Sequence, residues 1–218
     1  MKKLIFLFSF ICIAATVALC QDQQQSYDSS FRELYKTIAL HPGYINGRGI
    51  ITKPVIRKWD KDIIIFIEGG SGKNRREIVA KLKSTIAVIS PALDNKIKIL
   101  FTNDKSSANY LIDLSTGAAS GWYLRWDNLG NIYNCVIRLN TNKIFNQKQL
   151  IGMASHYFLK SLGDFITITA PPVASNLASW MQDINEVDLQ ILKLHYSGDI
   201  KPGMTWKDVD KVFSAHNN

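Results

Sequence analysis

The sequence predicts an α/β (α+β) fold: a single domain built on a mixed, twisted sheet of about five strands packed on helices. Three observations predict it. Ile63, Ile64, Ile65, Phe66 and Ile67 form a continuous apolar run, the pattern of a strand buried on both faces. Gly69, Gly70, Ser71 and Gly72 then break the run, and Ile78, Leu82, Ile86 and Ile89 follow at helical spacing up to Pro91. The last third of the chain is helical in pattern, with cap signatures at its helix starts.

The N-terminus is expected to be removed. Lys2 and Lys3 precede an apolar run from Leu4 to Leu19, and a glutamine-rich stretch begins at Gln21. That is a secretory signal layout, and the run is short for a membrane span. Ala18 and Cys20 have the spacing of a cleavage site before Gln21. The rival is a lipidated Cys20, but Leu19 stands where a lipobox carries a small residue. The expectation is an exported protein, periplasmic or secreted, with no transmembrane span in its mature form. The expected division is a signal peptide over 1–20, a leader with a short helix over 21–54, and one α/β domain over 55–218.

Composition adds little. Lys2 and Lys3 supply two of the formal net charge of +8. The remaining excess gives a weak pull toward anionic envelope surfaces, and no dense basic run points to nucleic acid. Cys12 and Cys20 lie in the expected signal peptide, which leaves Cys135. A lone cysteine forms neither an internal disulfide nor a zinc cluster, and its apolar neighbours predict a buried strand thiol.

Further elements follow in order. Ser30 can cap a short helix up to Leu40, with Phe31, Leu34, Tyr35 and Ile38 on one side; His41, Pro42 and Gly43 end it, with His41 as a turn residue. Asn74 and Glu77 form a capping-box pattern for the helix after the glycine turn. That turn is no phosphate loop, because Asn74 follows Lys73 where Ser or Thr is required. Strands are expected over 96–102, 109–114, 121–126 and 132–139, the last two as a hairpin around Asp127, Asn128, Leu129, Gly130 and Asn131. Asn146 with Gln149 caps the next helix, stapled by Phe145 and Leu150, and Gly163 is its stop. Past Pro171 and Pro172, Asn185 with Asp188 and Thr205 with Asp208 open two more helices, with Val187, Ile191 and Leu194 facing inward on the first.

His156, Tyr157, Phe158, Leu159, Lys160, Ser161, Leu162 and Gly163 resemble the metal-binding helix of metzincin zinc peptidases, with its His-Glu-x-x-His-x-x-Gly-x-x-His pattern. His156 and Gly163 match; Tyr157 stands for the glutamate, Lys160 for the second histidine and Ile166 for the third. Ser179, Trp180 and Met181 resemble that clan's methionine turn beneath the metal. The element order also fits. The stretch from Glu186 to Tyr196, with Lys201, Pro202, Gly203, Met204 and Thr205, is similar to the exported bacterial family called domain of unknown function 2927. The resemblance spans roughly Trp59 to Phe213 and implies a metzincin-like or zincin-like domain whose relic cleft contains His156, Tyr157, Lys160 and Met181. It also implies that a peptide pairs with the edge strand carrying Trp122, Tyr123, Arg125 and Trp126.

The substituted residues argue against hydrolysis. Catalytic zinc takes three protein ligands and a water, and histidines at i and i+4 work because they share a helix face. Lys160 is an ammonium with no lone pair, Ile166 has no donor, and Tyr157 is a poor base near neutral pH. The expectation is therefore no catalytic residue, no metal and no cofactor. Leu150, Ala154, Tyr157, Phe158 and Leu162 equally describe an ordinary apolar helix face, with His156 on its flank, and His195 and His216 carry weaker signals still. Trp122, Leu124 and Trp126 alternate with Tyr123 and Arg125, as a half-buried strand does. Three functions follow. One is a non-catalytic peptidase-like envelope protein that binds a peptide or protein through the relic cleft. Another is an atypical hydrolase pairing His156 with Glu68, Asp113 or Asp183. The third is a glycan-binding module using Trp122 and Trp126.

Overall fold

The computed structural model describes residues 29–42, 44–45, 50–94, 96–115, 117, 119–144, 146–167 and 175–215. The expected signal peptide, Cys20, Phe145, Pro171, Pro172 and His216 lie outside them. Helix α1 (Ser29–Ala39) is followed by a small antiparallel pair, β1 (Tyr44–Ile45) and β2 (Ile50–Ile51). Then come β3 (Lys58–Trp59), β4 (Ile63–Gly69), α2 (Gly72–Ile89), β5 (Ile99–Phe101), β6 (Tyr110–Leu114), β7 (Gly121–Trp126) and β8 (Asn131–Arg138). The chain ends in α3 (Gln147–Ser161), α4 (Glu186–His195) and α5 (Trp206–Ala215).

The mixed α/β expectation holds. One six-stranded sheet runs β5-β4-β6-β8, all parallel; β7 lies antiparallel on the outer side of β8, and β3 pairs with the first two residues of β8. Parallel neighbours need a long crossover, and α2 supplies the one from β4 to β5. Helices α2 and α3 pack together, with Thr85 Oγ1 and Ser155 Oγ 3.0 Å apart in their buried seam. Ile63, Ile65, Tyr110, Ile112, Cys135 and Ile137 fill the covered face of the sheet. The expectation that β4 is buried on both faces is corrected: Ile64 and Phe66 are only half-buried and lie outside the core. Successive strand residues point to opposite faces, and the helices cover one of them.

Several local rules operate as the sequence suggests. Asn146 accepts from the Gln149 amide, Asn185 and Asp188 form a reciprocal capping box, and the Asp208 carboxylate accepts from Thr205. Two expectations need correction. Helix α2 is capped by Ser71, whose hydroxyl accepts from the Asn74 amide, so Asn74 lies inside the helix. Gly163 is not the left-handed stop of α3; Asp164 takes that conformation, with φ 52°. Gly163 is needed for space, since a Cβ there would sit 2.4 Å from Phe165 and 2.7 Å from His195 Nε2.

Helix α1, which precedes residue 55, contributes Tyr35, Ile38 and Ala39 to the common core. The Tyr35 hydroxyl donates to His195 Nδ1, and His195 Nε2 donates to the Arg57 carbonyl. Burial holds the pKa of this wholly buried imidazole down to about 3, so the ring is neutral, and because a carbonyl only accepts, its proton sits on Nε2. Cys135 is a buried thiol, pushed up to about 12 by burial.

Candidate functional site

Helix α3 lies against β7 and β8, and its second half is enclosed nearly all round. That enclosure decides what His156 and Lys160 can do. His156 is 6 % exposed, and its Nδ1 bonds to the Asn176 carbonyl. The carbonyl can only accept, so Nδ1 carries the proton and Nε2 the free lone pair. Burial pushes this imidazole down to about 4; the Asn176 bond opposes the shift and the Lys160 charge adds to it. The Asn176 loop is itself tied down, because the buried Asp188 carboxylate accepts from the amides of Asn176, Leu177 and Asn185.

One turn on, Lys160 is 2 % exposed. Its amine donates to Thr167 Oγ1 and sits 4.1 Å from the centre of the Trp122 ring. Burial lowers its pKa to about 8, opposed by the charge of Asp164. Tyr157 is half-buried, its ring 5.5 Å from that of Trp122 and 5.6 Å from that of His156. Burial first, then Tyr123, raises the phenol pKa, so it keeps its proton near neutrality. Ile166 is half-buried, and its amide donates to Ile38 at the end of α1. The structure thus brings His156, Tyr157, Lys160 and Trp122 together.

Met181 is not brought with them. Met181 is 67 % exposed, which corrects the expectation that it shares the relic cleft with His156. Its neighbour Trp180 makes the contact with α3: a Cβ on Gly152 would fall 2.7 Å from the Trp180 carbonyl and 3.0 Å from its ring. The alternative acids have other partners: Glu68 pairs with Lys105, Asp113 with Arg138, and exposed Asp183 with Lys81. No group of three or more His, Cys, Asp or Glu able to hold a metal occurs among the described residues.

Strand β7 is the outer edge of the sheet; among the described strands it pairs only with β8. A groove of about 900 Å³ runs along it, walled by His41, Lys53, Arg57, Tyr123, Arg125 and Asp164, among others. Tyr123 and Arg125 are exposed, while Trp122 and Trp126 are half-buried with occupied ring faces. The ammonium of Lys160 lies over Trp122, and the Arg57 guanidinium lies 4.5 Å from the centre of the Trp126 ring.

Three residues of this site carried no sequence signal strong enough to find them. Arg57, 1 % exposed, donates to Asp164 at 3.1 Å, to the His41 carbonyl and to Thr52. Asp164 also accepts from the Trp122 indole, and its pKa is raised by burial against the opposing pull of His41, Arg57 and Trp122. His41, expected to be a turn residue, donates from Nε2 to the Asp164 carbonyl. A short polar residue just past a helix end, able to take positive φ, is the one clue that marks Asp164.

No protein-family model matches the chain, so the similarity to domain of unknown function 2927 gains no support. No curated protein matches it either. Among solved structures, the crystal structure of myroilysin is similar over 84 % of this chain and 71 % of that chain, at 16 % identity and a TM-score of 0.38. A likeness that loose carries no residue correspondence. No helix among the described residues is long and apolar enough to cross a membrane.

Proposed function

We propose that this protein is a non-catalytic peptide-binding domain that takes an extended peptide or protein segment as an added strand on β7. The observation that carries the reading is the outer edge of β7, which has no partner strand on that side among the described residues, beside the groove of about 900 Å³. An exposed edge is a row of unpaired backbone donors and acceptors, and strand addition satisfies them. Loss of catalysis is supported by the chemistry next to it. Lys160 offers no lone pair while protonated, Ile166 has no donor, and the Tyr157 phenol is held in its protonated form. Neither rival has a specific observation in its favour: the acids that would serve a hydrolase are paired elsewhere, and the Trp122 and Trp126 rings that would stack on a sugar are covered by cations.

The test is a pair of peptides of one sequence selected for binding, one with alternate backbone amides N-methylated. The methylated form is expected to bind at least about tenfold more weakly. Equal binding by the two, or turnover of the unmodified peptide lost in His156→Ala, rejects the reading. Tyr123→Ala should weaken binding without unfolding the protein. Trp122→Ala does not serve, because Trp122 supports Tyr157, Lys160 and Asp164.

A further inference from the structure

A second groove, of about 680 Å³, lies at the other end of the sheet, where α2 runs past β4 and β5. Its floor is apolar: Ile67 and Phe101 from the strands, with Val79 and Ala80 from the helix. Its charged lining has one sign. Arg75, Arg76 and Lys83 border it, and no acidic residue does. The nearby acids are committed elsewhere: Glu77 pairs with Lys73, Glu68 with Lys105, and Asp104 accepts from Ser106. Arg75 donates to the Gly69 carbonyl, which leaves its charge uncompensated, and neither Arg76 nor Lys83 forms an ion pair among the described residues.

The volume falls within the range of about 300–1,000 Å³ typical of small-molecule sites, and apolar walls with a few charges at one border are their usual lining. An apolar floor edged by uncompensated cations has a complementary ligand with two parts, a hydrocarbon tail and an anionic head. We infer that this groove binds a single-tailed anionic amphiphile, with the tail on Ile67, Val79 and Phe101 and the head between Arg76 and Lys83. The site is independent of the peptide groove, since the two share no lining residue.

Dodecyl phosphate, titrated calorimetrically below its micellar concentration into the whole protein, is the probe. The expected result is one-to-one binding. Inorganic phosphate and dodecanol, each carrying half of the chemistry, should bind at least about tenfold more weakly. Arg76→Gln with Lys83→Gln should cost about tenfold or more, and Ala80→Trp, which fills the groove from an exposed position, should do the same. Binding of inorganic phosphate as tight as that of dodecyl phosphate would reduce the site to an anion patch and overturn the inference. So would dodecyl phosphate affinity unchanged by the Gln pair, or no binding at all. The ligand series on the unaltered protein decides the matter even if a variant folds poorly.

Discussion

Lys160 is a cation enclosed by protein, held by one hydroxyl and one aromatic face. Its pKa falls from 10.5 to about 8 because burial outweighs the charge of Asp164. Between those values the unfolded chain binds the proton more tightly than the folded one, so stability rises with pH across that window. Lys160→Met should therefore raise the free energy of unfolding at pH 7 by about 1–3 kcal/mol, with the gain shrinking as pH climbs from 8 toward 10.5. Urea denaturation of both proteins at pH 7 and pH 10 checks it; a constant difference would mean that the amine is solvated. His156 behaves in the same sense in a lower pH window. Its folded pKa of about 4 lies below the ordinary 6.5, so its neutral form keeps the fold intact near pH 7 and stability is lost as pH falls from 6.5 toward 4. His156→Asn, which retains a donor toward the Asn176 carbonyl, should flatten that loss by up to about 1.4 kcal/mol per pH unit. Parallel slopes for variant and wild type would show an imidazole that titrates normally.

At the scale of elements, the loop that faces α3 depends on one carboxylate. Asp188 serves as the third residue of the α4 capping box and also collects the Asn176 and Leu177 amides. Asp188→Ala is expected to cost about 2–4 kcal/mol, since it strands buried amides and removes a cap at once. It should also release the Asn176 carbonyl from His156, visible as a further downward shift of the His156 pKa in an NMR titration, because that bond favours the protonated ring. A stability loss with the imidazole unmoved would separate the cap from the site. The β7 edge is an element-scale feature as well. Its side chains alternate as its sequence does, but the covering of Trp122 and Trp126 comes from α3 and from Arg57.

At the scale of the molecule, α1 belongs to the same core as the sheet. Tyr35, Ile38 and Ala39 are buried, and Tyr35 touches His195 and Phe213, from α4 and α5. A fully buried large side chain contributes roughly 1.5–3 kcal/mol, against a total of about 5–15 kcal/mol for a domain. A chain beginning at Ser29 is expected to unfold cooperatively, like the whole protein. One beginning at residue 43 is expected to lose that transition, and circular dichroism melts of the two would show it. A sharp melt from the shorter chain would place α1 outside the cooperative unit.

Much of the fold was legible because it rests on local rules. Residues 63–67 read as a strand from side-chain type, 121–126 from alternation, and Asn146, Asn185 and Thr205 as helix starts from cap chemistry. The spacing that puts His156 and Lys160 on one helix face was legible for the same reason. What surrounds those two side chains was not. The sequence by itself determined that an ammonium stands one turn from an imidazole on α3. Only the tertiary structure decided that Trp122, Thr167 and Asp164 enclose the amine, that Arg57 and His41 meet Asp164, and that Met181 faces outward. The physical reason is range: periodicity and capping act within a few residues, whereas the Arg57–Asp164 pair joins positions 107 residues apart, which only packing brings together.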